Sequence, residues 1–174
     1  MIYKSDKLAV IIDGLHLSQL RKSLDLNVDY RKLRDYFVRA GRLSSLTFYA
    51  LVDDDPNNPI VPLLDWMSYN GYSVFRGSAY SYVNDEGRKI VRGSIAVKLS
   101  LDLVEASRTC DHIVLIGGDP DYAHALDLAR RNGCQITVIS SLGGAKPSVS
   151  DALRRTADEF VEIDTIMQHI EKDD

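Results

Sequence analysis

Three aspartates of this 174-residue chain stand directly behind short apolar runs. Asp13 follows Leu8-Ala9-Val10-Ile11-Ile12, while Asp119 and Asp121 follow the run Ile113 to Ile116 and a Gly117-Gly118 pair. If those runs are neighbouring strands, the three carboxylates meet at one rim. Like charges held together in a partly dry cleft repel unless a proton or a cation neutralises them. Carboxylate oxygens without a nearby His or Cys suit a hard cation, Mg²⁺ or Mn²⁺. Such a cation activates water and offsets charge developing on a phosphoryl group. Asp13, Asp119 and Asp121 are therefore candidate metal ligands and catalytic residues. Local structure offers a second account of the same residues. Asp119 before Pro120 has the form of a helix N-cap with proline at the first helical position, and Asp121 then faces the positive end of the helix dipole. Asp13 equally suits a strand-end turn.

The elements that would position these residues follow from periodicity. Leu8 to Ile12 is a continuous apolar run, the pattern of a strand buried on both faces. Similar runs recur at Leu46 to Leu51, Ser73 to Phe75, Ile113 to Ile116 and Ile136 to Ile139. Between them, helices are predicted over Tyr30 to Ala40, Ile60 to Tyr69, Ile95 to Ser107, Tyr122 to Asn132, Ser148 to Ala157 and Thr165 to Ile170. Gly133 stands where the fourth of these needs its C-cap. Buried strands alternating with helices predict an α/β fold, a three-layer Rossmann-like sandwich with a mostly parallel central sheet. Ligands of such sheets bind beyond the carboxyl ends of the strands, where the strand order reverses. Ala79 to Val91 breaks the rhythm and reads as a polar hairpin or loop. With no repeat, linker or low-complexity tract, residues 1–174 read as one domain.

Composition narrows the classes further. At 45% hydrophobic, 26% charged and net charge −4, the chain is too apolar for a disordered protein. No run approaches the length of a membrane span, no signal-peptide pattern opens the chain, and Cys110 and Cys134 have no metal-ligand or disulfide spacing. A cytoplasmic location without membrane partners is expected. A net acidic chain argues against a module that coats nucleic acid by charge alone. Locally the balance reverses. From Arg76 to Lys98 five bases (Arg76, Arg88, Lys89, Arg92, Lys98) face two acids, beside Tyr80 and Tyr82. Cations next to exposed rings suit single-stranded RNA. Asp53-Asp54-Asp55-Pro56 reads as a solvated turn, and the glycine-rich Ser140 to Lys146 stretch carries no phosphate-loop pattern.

Several ordered motifs resemble the NYN domain, the LabA-like branch of the PIN-nuclease superfamily. They are the first strand with Asp13-Gly14, the Gly118-Asp119-Pro120-Asp121-Tyr122 segment, Tyr49-Ala-Leu-Val-Asp-Asp, Leu64-Asp-Trp-Met-Ser-Tyr-Asn-Gly-Tyr, Arg92-Gly-Ser-Ile-Ala-Val-Lys-Leu-Ser-Leu-Asp102, and the stretch from Ala152 to Glu162. The resemblance runs from about residue 7 to 164. It implies a PIN-like fold and metal-dependent cleavage of RNA by clustered aspartates, and it adds Asp102 to the catalytic candidates. Two positions depart from the family pattern. His16 replaces the Asn of Asp-Gly-x-Asn, and Ala96 replaces an Asp six residues before Asp102.

His16 could contact phosphate in place of that Asn or could simply pack, and it joins Arg88, Lys89, Arg92 and Lys98 as a candidate nucleic-acid contact. Lys98 stands four residues before Asp102, the spacing of a helical ion pair. Three carboxylates can still hold one Mg²⁺, which keeps several waters, but a two-metal arrangement is hard to sustain. The expected function is a Mg²⁺- or Mn²⁺-dependent ribonuclease. The alternative is a catalytically impaired NYN-like domain that regulates through RNA or protein partners, and apolar helix faces leave room for a homodimer. Restoring the acid by Ala96→Asp is expected to tighten Mg²⁺ binding by about tenfold or more, because each added carboxylate raises the charge facing the cation. Isothermal titration calorimetry of the two proteins checks this, and unchanged affinity would refute it.

Overall fold

Strands that are apolar at every position need cover on both faces, and the fold supplies it. The computed structural model describes residues 2–53, 55, 57–144 and 146–173, and only the backbone of Ser81, Lys89 and Val91. In chain order the elements are β1 (Lys7–Asp13), α1 (Gly14–Ser23), α2 (Tyr30–Ala40), β2 (Arg42–Val52), α3 (Val61–Tyr69), β3 (Ser73–Ser78), β4 (Tyr80–Val83), β5 (Lys89–Arg92) and α4 (Ala96–Ala106). They continue with β6 (His112–Ile116), a 3₁₀ turn (Pro120–Tyr122), α5 (Ala123–Arg131), β7 (Gln135–Ser140), α6 (Asp151–Thr156), β8 (Glu159–Glu162) and α7 (Ile163–Ile170). Six strands form one sheet in the order β3-β2-β1-β6-β7-β8, every adjacent pair parallel. β4 and β5 pair antiparallel as a separate hairpin.

Side-chain alternation along β1 divides the core in two. Leu8, Val10 and Ile12 point to one face, where they meet Leu17 and Leu20 of α1, Leu33 and Phe37 of α2, Leu64 and Met67 of α3, and Ile166 of α7. Ala9 and Ile11 point to the other, where Leu99 and Leu103 of α4, Leu126 of α5 and Leu153 of α6 cover the sheet. The strand order grows outward from β1 in one direction and from β6 in the other. Right-handed crossovers then place the connecting helices on opposite faces, and the reversal leaves a crevice between the ends of β1 and β6.

The α/β sandwich with its mostly parallel sheet agrees with the sequence reading, with differences at the edges. β2 starts at Arg42 rather than Leu46, because its first residues are largely exposed and carry little apolar signal. β8 has no counterpart in the sequence reading: it is four half-buried residues paired only with β7. α1 is absent from the helices predicted above, since most of its positions are polar. Within the acidic turn, Asp54 and Pro56 lie outside the described residues. No helix among the described residues is long and apolar enough to cross a membrane.

Gly14, at the hinge between β1 and α1, sits against β2. A Cβ there would lie 2.5 Å from Phe48 Cε1 and 2.5 Å from the Tyr49 carbonyl oxygen. The second neighbour is backbone and cannot rotate away. Gly14→Ala is expected to cost about 1–3 kcal/mol, the usual penalty for overfilling a packed site, as read by urea denaturation.

Candidate functional site

The crevice between β1 and β6 is a cleft of about 320 Å³. Asp13, His16, Gly93, Ala96, Gly118 and Asp119 are among its walls. Asp13 closes β1 and caps α1: its Oδ1 accepts the backbone N–H groups of Leu15 and His16, each at 3.0 Å. Its Oδ2 accepts the Tyr122 hydroxyl at 2.7 Å. Asp13 is only 5% exposed, so these three donors replace water around a buried carboxylate. Asp119 is exposed and caps the 3₁₀ turn, its Oδ1 accepting the Asp121 N–H at 2.9 Å. Both local-structure readings of these aspartates are therefore realised, and the caps leave them on the cleft wall all the same. Asp121, also exposed, is not among the lining residues, although its charge reaches the Tyr122 hydroxyl.

Tyr122 was not anticipated as a site residue. Its ring is buried, and burial, followed by the charges of Asp13, Asp119 and Asp121, pushes its hydroxyl well above the ordinary phenol range. It is held protonated and can only donate to Asp13. The signal available in sequence was its place directly behind two acids, but nothing there told a packed ring from a donor.

His16 is buried as well, with Nε2 2.9 Å from the hydroxyl of Ser140 at the end of β7. Burial lowers its pKa more than Asp13 and Asp119 raise it, so the ring is neutral near pH 7. Its edge lies against Gly118, where a Cβ would come within 2.4 Å of His16 Cε1 and even closer to the Ser148 carbonyl. Glycine is the residue that lets the β6 end, the α1 start and the loop before α6 meet. The Ser150 N–H donates to the Gly118 carbonyl at 2.9 Å and secures that contact.

Asp102 is not brought to this cleft. It lines a separate pocket of about 220 Å³ with Ser45, Thr47 and Glu105, between α4 and the sheet. Its oxygens accept from Tyr49 Oη and from Lys98 Nζ, both at 2.5 Å. The helical pair foreseen for Lys98 thus forms, and the ammonium faces Asp102 rather than the cleft. Ala96, at the first turn of α4, is on the cleft wall without a carboxylate. Arg88 pairs with Glu86 at 3.3 Å in the hairpin turn, Arg92 extends from β5 with its Nε 3.4 Å from Tyr82 Oη, and the Lys89 side chain lies outside the described residues.

The residues that could hold a cation are Asp13 and Asp119, with the hydroxyl-bearing Ser94 and Ser148 also on the wall. This oxygen-only donor set has the chemistry of Mg²⁺ or Mn²⁺. Among the described residues no three His, Cys, Asp or Glu side chains come together as a ready ligand set. The donors fit one cation that keeps much of its water, and they do not fit a pair.

Because Tyr122 alone among the described residues donates to Asp13 Oδ2, Tyr122→Phe should leave a buried carboxylate oxygen unsatisfied. The expected loss is about 1–3 kcal/mol of stability by chemical denaturation. Tyr69→Phe, at a position 90% exposed, should change almost nothing in the same measurement.

Comparison with known proteins agrees with this geometry. The profile of the NYN domain matches residues 7–164. The "low amplitude and bright" protein LabA of Synechococcus elongatus is 26% identical over 176 residues, covering 99% of this chain and 91% of that protein. A solved structure of a Vibrio parahaemolyticus protein of unknown function superposes with a TM-score of 0.69 at 21% identity, over 94% of this chain and 96% of that one. This last likeness speaks to the fold alone. With its profile covering nearly the whole length, the chain belongs to the NYN domain family, a PIN-like nuclease family.

Proposed function

We propose that this chain is a ribonuclease-type NYN domain that acts on RNA phosphodiesters with a single divalent cation at Asp13 and Asp119. The observation that carries the reading is that these two carboxylates share one cleft at the point where the strand order reverses. Among the described residues, neither Lys nor Arg lines the cleft. A phosphate entering there meets negative charge, so a cation is what makes its approach favourable. When bound, Mg²⁺ or Mn²⁺ supplies a more acidic water and offsets charge on the phosphoryl oxygens.

The chain's own groups then divide the work. Tyr122 and the N–H groups of Leu15 and His16 fix the orientation of Asp13. Asp119, exposed on the cleft wall, is held at Oδ1 by the Asp121 N–H. Asp121 adds negative charge just outside. His16 borders the cleft as a neutral ring held by Ser140 and is a candidate contact for a phosphate oxygen. Attraction for the RNA backbone comes from the cations of the segment that includes Arg88, Lys89 and Arg92, with Lys98 contributing less because Asp102 already engages it.

A second reading is a catalytically impaired domain that binds RNA or protein as a regulator. Ala96 on the cleft wall favours it, since a carboxylate there would have completed the ligand set. Val97 and Leu101, one turn apart and exposed on α4, are the apolar pair that a second copy or another protein would cover. The readings separate in one assay. Cleavage of a labelled single-stranded RNA should require Mg²⁺ or Mn²⁺, stop with EDTA, and fall by about 100-fold or more in Asp13→Asn, as removal of several kcal/mol of charge stabilisation demands. RNA that stays intact with the unaltered protein in both metals would refute the nuclease and leave the regulator.

A further inference from the structure

The β4–β5 hairpin belongs to neither layer of the sandwich. Its strands pair with each other and not with the six-stranded sheet, and its root is fixed. There the Ala79 N–H donates to the Val52 carbonyl at 2.9 Å, and a Cβ on Gly93 would press on the Ser78 carbonyl. Beyond the root the arm exposes large rings: Tyr80 is 63% exposed and Tyr82 43%. Solvent-facing tyrosines this open bury little apolar surface and contribute little to folding, so the fold alone does not account for them.

Register and pleat sort the arm into two faces. Tyr80 stands opposite Arg92 and Tyr82 opposite Ile90, so all four side chains share one face. Val83 falls on the other. This separates cations that composition had grouped together: Arg92 belongs with the rings, and Arg88 in the turn is paired with Glu86. Arg92 forms no pair with a carboxylate among the described residues, and its one hydrogen bond is to Tyr82.

The ringed face also leads somewhere. Tyr80, Ile90 and Arg92 line an open depression of about 580 Å³ whose remaining walls are Gly93 and Ser94. Those last two residues also line the Asp13–Asp119 cleft. One continuous surface therefore runs from the exposed rings, past the Arg92 guanidinium, to the acidic cleft.

From this continuity we infer that the hairpin is a stacking arm for single-stranded RNA, which rests on the reading of the cleft as a phosphodiester site. Tyr80 and Tyr82 each take one base, and Arg92 holds the backbone phosphate between the arm and the cleft. Residues two apart on a strand stand roughly 7 Å apart, about twice the spacing of stacked bases, so the two rings engage a strand whose bases are pulled apart. A duplex, with its bases paired and stacked internally, offers no free base face to either ring. Charge favours the same occupant, since the arm supplies the cation that the cleft lacks.

Fluorescence anisotropy of the full-length protein with a labelled 12-nucleotide unstructured RNA, in EDTA so that nothing is cut, tests the inference. Tyr80→Ala and Tyr82→Ala should each weaken binding by about tenfold, Phe at either position should restore it, and Val83→Ala on the opposite face should be silent. Arg92→Ala should lower the slope of log affinity against log salt by about one. The same sequence annealed into a duplex should bind more weakly than the single strand. Unchanged affinity in the tyrosine variants, or a duplex bound as well as the single strand, would overturn the arm. Circular dichroism melts confirm that these exposed substitutions leave the fold intact. The cleavage assay fails or succeeds separately. Tyrosine-dependent binding without cleavage would sink the nuclease and keep the arm, and cleavage with tyrosine-independent binding would do the reverse.

Discussion

A carboxylate buried at the end of a strand has to be satisfied from its surroundings, and Asp13 organises the site around that requirement. Its three donors come from the first turn of α1 and from Tyr122 beyond β6. Satisfying one side chain therefore ties two strand ends together at the reversal of strand order. The close approach this demands leaves no room for a Cβ at Gly14 or Gly118. His16, turned toward Ser140, extends the same tie to β7. Packing and electrostatics are one constraint here, because moving any of these elements would strand a buried charge without partners.

Charge is distributed with the same economy. A net −4 is an unpromising total for the RNA binding we propose. The fold, however, places acid and base on different surfaces. Asp13 and Asp119 face the cleft, while Arg92 stands on the arm beside it. Asp102, which the family resemblance grouped with the cleft carboxylates, is turned to Lys98 and Tyr49 in its own pocket. Its neighbour Tyr49 is held protonated by burial and by that carboxylate, so it acts as a donor there. α4 thus presents Ala96 to the cleft and keeps its acid below it. A site with two carboxylates on the wall has the charge for one cation, and this is the physical core of the difference from a fuller aspartate cluster.

Much was legible from residues alone. Uninterrupted apolar runs such as Leu8 to Ile12 signalled strands covered on both faces, because no half-exposed strand tolerates that pattern. The irregular stretch after Ala79 was recognisable as a polar hairpin or loop because Tyr80, Tyr82, Asn84, Asp85 and Gly87 break the alternation of strands and helices. Other features carried no local signal. The edge strand Glu159–Glu162 exists only because β7 offers it a partner. The Tyr122 hydroxyl matters only because Asp13, 109 residues earlier in the chain, is buried beside it.

The sequence by itself determined the class of fold and the aspartates at the strand ends, because each depends on residue type and short-range spacing, and the resemblance to the NYN family marked the carboxylate missing at Ala96. Tertiary structure decided which of those acids share a cleft, which lysine is already engaged, and which cation stands beside exposed rings. Those outcomes depend on strand order, register and the face of a helix turned inward. Distances between residues far apart in the chain are set by packing, and no local pattern encodes them.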